Sequence, residues 1–194
     1  RVVHQMAEAL KAGETLADLL RVAGGLNAVA DPARLVMERL DGSQRVRELA
    51  DFDPLTGLPN RRLLRDRCTQ LLAAAERDGT EMALVFIDLD HFKRVNDSLG
   101  HSVGDDLLCA VAQRLSGTVR KVDTLARLGG DEFIIALPGG HASAAADVAS
   151  RLLDVCAASF LVAGHELTVT PSLGISLYPV DGTDFEALLR NADA

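Results

Sequence analysis

Leu125-Ala126-Arg127-Leu128-Gly129-Gly130-Asp131-Glu132-Phe133-Ile134-Ile135-Ala136-Leu137 reads as strand, tight turn, strand. Two short apolar runs flank a pair of glycines, which accept backbone angles that a side chain forbids. An ordinary hairpin needs only the glycines. Two carboxylates directly after them repel each other and add nothing to a turn. They are suited to meeting a cation, while bare glycine backbone lets a large ligand come close.

A second acidic segment strengthens this reading. Met82-Ala83-Leu84-Val85-Phe86-Ile87 is a continuous apolar run, the pattern of a strand buried on both faces. It ends in Asp88-Leu89-Asp90, which places carboxylates at the edge of a sheet. Magnesium takes one or two carboxylates and keeps its remaining positions for waters and substrate phosphates. Asp88 and Asp131 could supply that pair, leaving Asp90 and Glu132 as further acids without an assigned role. Either acidic turn alone reads equally well as solvated surface; two in one chain favour a site.

In this order, the segments resemble the GGDEF family of diguanylate cyclases. The likeness starts at Asp53-Pro54-Leu55-Thr56-Gly57-Leu58-Pro59-Asn60-Arg61-Arg62 and continues through Asp88-Leu89-Asp90-His91-Phe92-Lys93-Arg94-Val95-Asn96-Asp97. Gly100-His101-Ser102-Val103-Gly104-Asp105, the Gly129–Phe133 signature and Thr170-Pro171-Ser172-Leu173-Gly174-Ile175-Ser176 follow. The resemblance implies a palm-like nucleotidyl cyclase fold, α+β, with a mostly antiparallel central sheet flanked by helices. It implies that two GTP molecules condense to cyclic di-GMP and two pyrophosphates, with two Mg2+ or Mn2+ ions per active site.

The resemblance also assigns roles. Asp88, Asp131 and the Leu89 carbonyl are implied as metal ligands, and Glu132 as an acid that activates the hydroxyl or binds metal. Lys93 meets phosphate as a point charge, and the amides of His91, Phe92 and Lys93 open a helix that favours anions. Gly129 and Gly130 leave room for the nucleotide. Asn96 and Asp105 read the base: a carboxylate accepts from the guanine N1 and N2 hydrogens, a donor pair that adenine lacks. Each domain holds one GTP, so two must face each other head to tail as a homodimer. Arg120-Lys121-Val122-Asp123 stands at the position of the family's inhibitory Arg-x-x-Asp, with Arg127 and Arg151 as supporting arginines, and implies feedback by cyclic di-GMP.

The family pattern continues into a helix with a lysine and an arginine near the triphosphate, and these 194 residues do not contain them. The GTP affinity of this C-terminally truncated domain is therefore left open by the resemblance. Two other functions compete with the cyclase. One is a catalytically weak sensor binding GTP or cyclic di-GMP, within a GGDEF-EAL type protein; the intact Asp131-Glu132 pair argues against it. The other is a polymerase-like or adenylyl-cyclase-like enzyme, disfavoured by Asn96 and Asp105.

Composition bounds the rest. Nearly half the residues (48%) are apolar, enough for a sizeable core, and the net charge of −8 argues against a nucleic-acid polymer as partner. Cys68, Cys109 and Cys156 fit no zinc spacing and read as small core residues in a reducing compartment. No apolar run approaches membrane-spanning length and no signal peptide is visible. The chain is therefore expected to be cytoplasmic without membrane contact, with any anchor of the parent protein outside it. Residues 1–50 read as a helical connector or the remnant of an input domain, including a helix through Leu35, Val36 and Leu40 and another from Gln44 to Ala50. Residues 51–194 read as the GGDEF domain.

Overall fold

Strand β3 (Met82–Leu89) is the centre of the molecule because it has no polar residue before Asp88. Its residues 82 to 87 are all buried. In this computed structural model, residues 38–41, 44–47 and 51–194 are described. β3 pairs antiparallel with β5 (Glu132–Pro138) on one side and with β8 (Pro171–Tyr178) on the other. β4 (Thr124–Gly129) completes the sheet in the order β4-β5-β3-β8. Every pairing is antiparallel, as expected for the palm-like class.

Helices cover both faces. α1 (Arg61–Asp78) and α5 (Phe185–Ala192) lie on the face formed by Met82, Leu84, Phe86, Ile134 and Ala136. α2 (Phe92–Leu99), α3 (His101–Ser116) and α4 (Ala142–Ala157) share a core with Ala83, Val85, Ile87, Phe133 and Ile135 on the other face. Strand alternation explains the division: even-numbered residues of β3 face one helical layer and odd-numbered residues the other. The side-chain oxygen of Asn60 accepts from the Leu63 amide and caps α1, and Asp184 does the same for α5 through Ala187.

The first hairpin departs from the expected helices. β1 (Glu38–Asp41) pairs with β2 (Gln44–Arg47) where helices through Leu40 and from Gln44 were expected. The two-residue spacer Gly42-Ser43 is a hairpin sequence, and it outweighs the short helical spacing of the flanking apolar residues. The helices expected before residue 38 lie outside the described residues. A small hairpin of β6 (Phe160–Val162) and β7 (His165–Leu167) precedes β8.

Cys68 and Cys156 are buried core residues, and Cys109 is half-buried with its thiol donating to the Leu55 carbonyl. Burial pushes the Cys68 thiol up to about 12. No described helix is long and apolar enough to cross a membrane.

Candidate active site

Three acids meet where β3 runs out of apolar sequence. Asp88 pairs in register with Glu132 on β5, and Asp131 occupies the two-residue turn just before it. Like charges directly opposite across a strand pair are destabilising. The chain keeps them at the open end of the sheet, next to the carboxylate of Asp193. Burial is the first cause that pushes the Asp88 carboxyl up, followed by the charges of Asp131, Asp90 and Asp193. Glu132 is likewise raised by burial, then by Asp193, Asp88 and Asp131. A cation bound among these acids would relieve their mutual repulsion.

The turn that carries Asp131 depends on its glycines. Gly129 and Gly130 adopt φ values of +146° and +52°, a region that disfavours side chains. A bulge between Arg127 and Gly129 sets the turn apart from the regular ladder. Arg127 holds the turn from beneath. Its Nε and Nη2 donate to the Gly130 carbonyl at 3.0 and 2.7 Å. Its Nη1 donates to both carboxylate oxygens of Asp53 at 2.9 and 3.1 Å. Arg127 is only 8% exposed, and the full use of its fork explains how a guanidinium can lie there. The structure thus buries this arginine, whereas Arg120 is exposed.

The acids border an open cavity of about 270 Å³ lined by Phe86, Asp88, Glu132, Ser172, Gly174 and Asp193. α5 closes one side of it by crossing β8 at Gly174. A methyl group built on Gly174 would sit 1.7 Å from the Ala192 carbonyl oxygen. Only glycine allows the helix end to come this close.

On the opposite face, α2 and α3 bring Asn96 beside Gly104, one residue before Asp105. A methyl group at Gly104 would lie 1.9 Å from Asn96 Oδ1. That oxygen is buried and has no hydrogen-bond partner among the described residues. Lys93, His91 and Asp105 are exposed, whereas the ring of Phe92 belongs to the core, leaving its backbone as the part that a ligand could use. His91, at φ +60°, precedes α2 without a capping side chain.

Arg120 and Asp123 form a closed turn. The Arg120 amide donates to Asp123 Oδ2 at 2.8 Å, and the Asp123 amide donates to the Arg120 carbonyl at 3.1 Å. Asp123 lines a groove of about 300 Å³ with Arg67, Gln70, Lys121 and Thr124. Arg151 is exposed on α4.

Oxygen donors at the acidic end fit a hard divalent cation. Among the described residues, no three His, Cys, Asp or Glu side chains form a ready metal cage.

Sequence reasoning missed two contacts around this framework. Arg114 donates to the carbonyls of Val155, Ala158 and Ser159 and stacks 3.5 Å from the Phe160 ring centroid, capping the end of α4. Asp193 escaped notice because nothing local in Ala192-Asp193-Ala194 indicates that α5 ends beside Asp88.

The sequence pattern of the diguanylate cyclase GGDEF domain matches residues 50–194. The chain belongs to this family. The GGDEF chain is 46% identical over 147 residues to the bifunctional diguanylate cyclase/cyclic di-GMP phosphodiesterase MucR of Pseudomonas aeruginosa, covering 76% of this chain and 22% of MucR. Its fold is similar to a sensory box/GGDEF family protein from Caulobacter crescentus. The TM-score is 0.70 and the identity 47%, over 74% of this chain and 94% of that one. It is also similar to the GGDEF domain of DgcB from Caulobacter crescentus, solved in complex with c-di-GMP. Here the TM-score is 0.69 and the identity 31%, over 79% of this chain and 89% of that one. The GGDEF chain spans between 19% and 42% of the length of these curated relatives.

Proposed function

We propose that this GGDEF domain condenses two GTP molecules into cyclic di-GMP. The observation that carries this reading is Asp88 set opposite Glu132, with Asp131 in the glycine turn beside them. The 3′-hydroxyl of one GTP attacks the α-phosphorus of the other, pyrophosphate leaves, and the step repeats with the roles exchanged. Such chemistry depends on alignment and on neutralising charge. Asp88, Asp131 and the Leu89 carbonyl would hold Mg2+ or Mn2+, which supplies Lewis acidity at the reacting phosphate. Glu132 faces the same cavity and is a candidate to accept the hydroxyl proton, because its raised carboxyl is a stronger base than an exposed one. Lys93 and the amides at the start of α2 would receive phosphate oxygens.

Asn96 and Asp105 would recognise guanine. The unpaired Asn96 oxygen supports this role, since a buried acceptor without a donor is costly and a rotated amide could meet a guanine N–H. Gly104→Ala would force the Asn96 side chain out of its place. It is expected to raise KM for GTP about tenfold with a smaller change in kcat, measured by steady-state kinetics. An unchanged KM would remove Asn96 from the base site.

Two domains must meet for turnover, so the active form is a homodimer. Product returns to Arg120 and Asp123, with Arg151 as a further exposed cation. Asp123 borders a groove with room for a purine, and guanidinium groups match phosphate oxygens. Arg120→Ala is expected to relieve inhibition by added cyclic di-GMP about tenfold while sparing the initial rate. An unaltered inhibition curve would refute this site.

The decisive experiment incubates purified full-length protein with magnesium and GTP. Chromatographic appearance of cyclic di-GMP supports the cyclase. Nucleotide binding without turnover supports a sensor, and consumption of ATP supports a different cyclase.

A further inference from the structure

Asp90 lies two residues after Asp88 yet has no task in the scheme above. Its surroundings differ from those of the other acids. Oδ2 accepts from the Thr170 hydroxyl at 2.6 Å and Oδ1 from the Ser172 hydroxyl at 2.7 Å. Its amide donates to the Thr170 carbonyl at 2.8 Å.

We propose that Asp90 is a positioning residue, which anchors the start of α2 to the β8 edge and thereby aligns the nucleotide-binding amides and Asn96. The inference rests on the nucleotide reading of this site. β3 ends at Leu89 and α2 begins at Phe92, so the chain has two residues in which to change direction. One of them, His91, occupies the left-handed region at φ +60°, an unfavourable conformation for a side-chain-bearing residue. Such a conformation persists where its neighbours over-determine it. Here the preceding residue is fixed at its amide and at both carboxylate oxygens.

Beyond its packing against α3, α2 has few anchors of its own. It has 8 residues, too few for stability alone, no side-chain cap, and a single buried residue, Phe92. On the other side of the contact, Pro171 pairs with Leu89, and Thr170 and Ser172 flank it. Both hydroxyls therefore reach the same carboxylate. The result is a three-bond clamp between the ends of β3 and β8, directly before the helix that carries Lys93 and Asn96.

The test compares Asp90→Ala, Asp90→Asn and a Thr170→Val/Ser172→Ala double variant with the full-length protein. Binding of a non-hydrolysable GTP analogue is measured by calorimetry, and Mn2+ binding by electron paramagnetic resonance in the absence of nucleotide. Asp90→Ala is expected to weaken analogue binding about tenfold and to raise KM more than it lowers kcat. Mn2+ affinity should stay at the wild-type value. Asp90→Asn should recover most of the loss, because an amide can accept from one hydroxyl and donate to the other. The double variant should reproduce Asp90→Ala from the β8 side, even if that variant folds poorly. Weakened Mn2+ binding in Asp90→Ala would make Asp90 a metal ligand and overturn the inference. Wild-type analogue affinity in both Asp90→Ala and the double variant would overturn it as well. A wild-type protein that fails to bind the analogue would instead overturn the nucleotide reading itself.

Discussion

Asp131→Asn is expected to lower cyclic di-GMP formation by at least about a hundredfold without weakening the fold. The side chain sits in a turn whose shape is set by Gly129, Gly130 and the Arg127 contacts, none of which uses the Asp131 carboxylate. Asparagine fits the same space. It removes one negative charge from a group in which Asp131 and Asp193 both raise the Asp88 carboxyl. In the absence of metal, the variant should therefore melt at the same temperature as the wild type or slightly above it. Thermal unfolding in a chelator, set beside product formation in magnesium, measures both effects. Full activity in the variant would disprove the assigned metal role. Lower stability would show that the repulsion argument has the wrong sign.

Arg127→Ala should have the largest effect on stability. It leaves the half-buried Asp53 carboxylate with only its Thr56 hydrogen bonds and withdraws two donors from the Gly130 carbonyl. Breaking a fully buried pair on one side typically costs about 3–5 kcal/mol, and the partial exposure of Asp53 lowers the cost here to about 2–3 kcal/mol. Denaturant unfolding should show a loss of that order, and a loss below about 1 kcal/mol would mean that the pair is effectively solvated. The same interaction predicts a pH dependence. Burial pushes the Asp53 carboxyl up, but the Thr56 hydrogen bonds and Arg127 outweigh it and bring the group below its ordinary 3.8. A lowered folded value means that the stabilisation is complete above the unfolded value and is lost as pH falls through the folded one. Asp53→Asn should therefore flatten the decline in stability below about pH 4.

Much of this architecture was legible in the chain. The uninterrupted apolar run of β3, the Asn60 cap of α1 and the glycine turn between β4 and β5 are local patterns with one good structural solution each. The likeness to GGDEF proteins then supplied the mostly antiparallel central sheet flanked by helices. What escaped depended on partners distant in sequence. Arg127 reads as a supporting arginine of the Arg-x-x-Asp segment, and its ion pair shows only when Asp53, 74 positions away, is folded against it. Asp90 looks like another member of an acidic segment until Thr170 and Ser172 approach. The 38–47 hairpin was misread because its apolar residues fit a short helix as well as a strand, and only the Gly42-Ser43 spacer separated the two.

Position 174 acts as a spacer gauge between α5 and the sheet. Because the Ala192 carbonyl oxygen occupies the volume that any side chain there would need, residue size at this one point sets how far the closing helix stands from β8. The width of the acidic cleft is thus tied to an absent methyl group, and even alanine would act as a wedge that carries Asp193 away from its two neighbours.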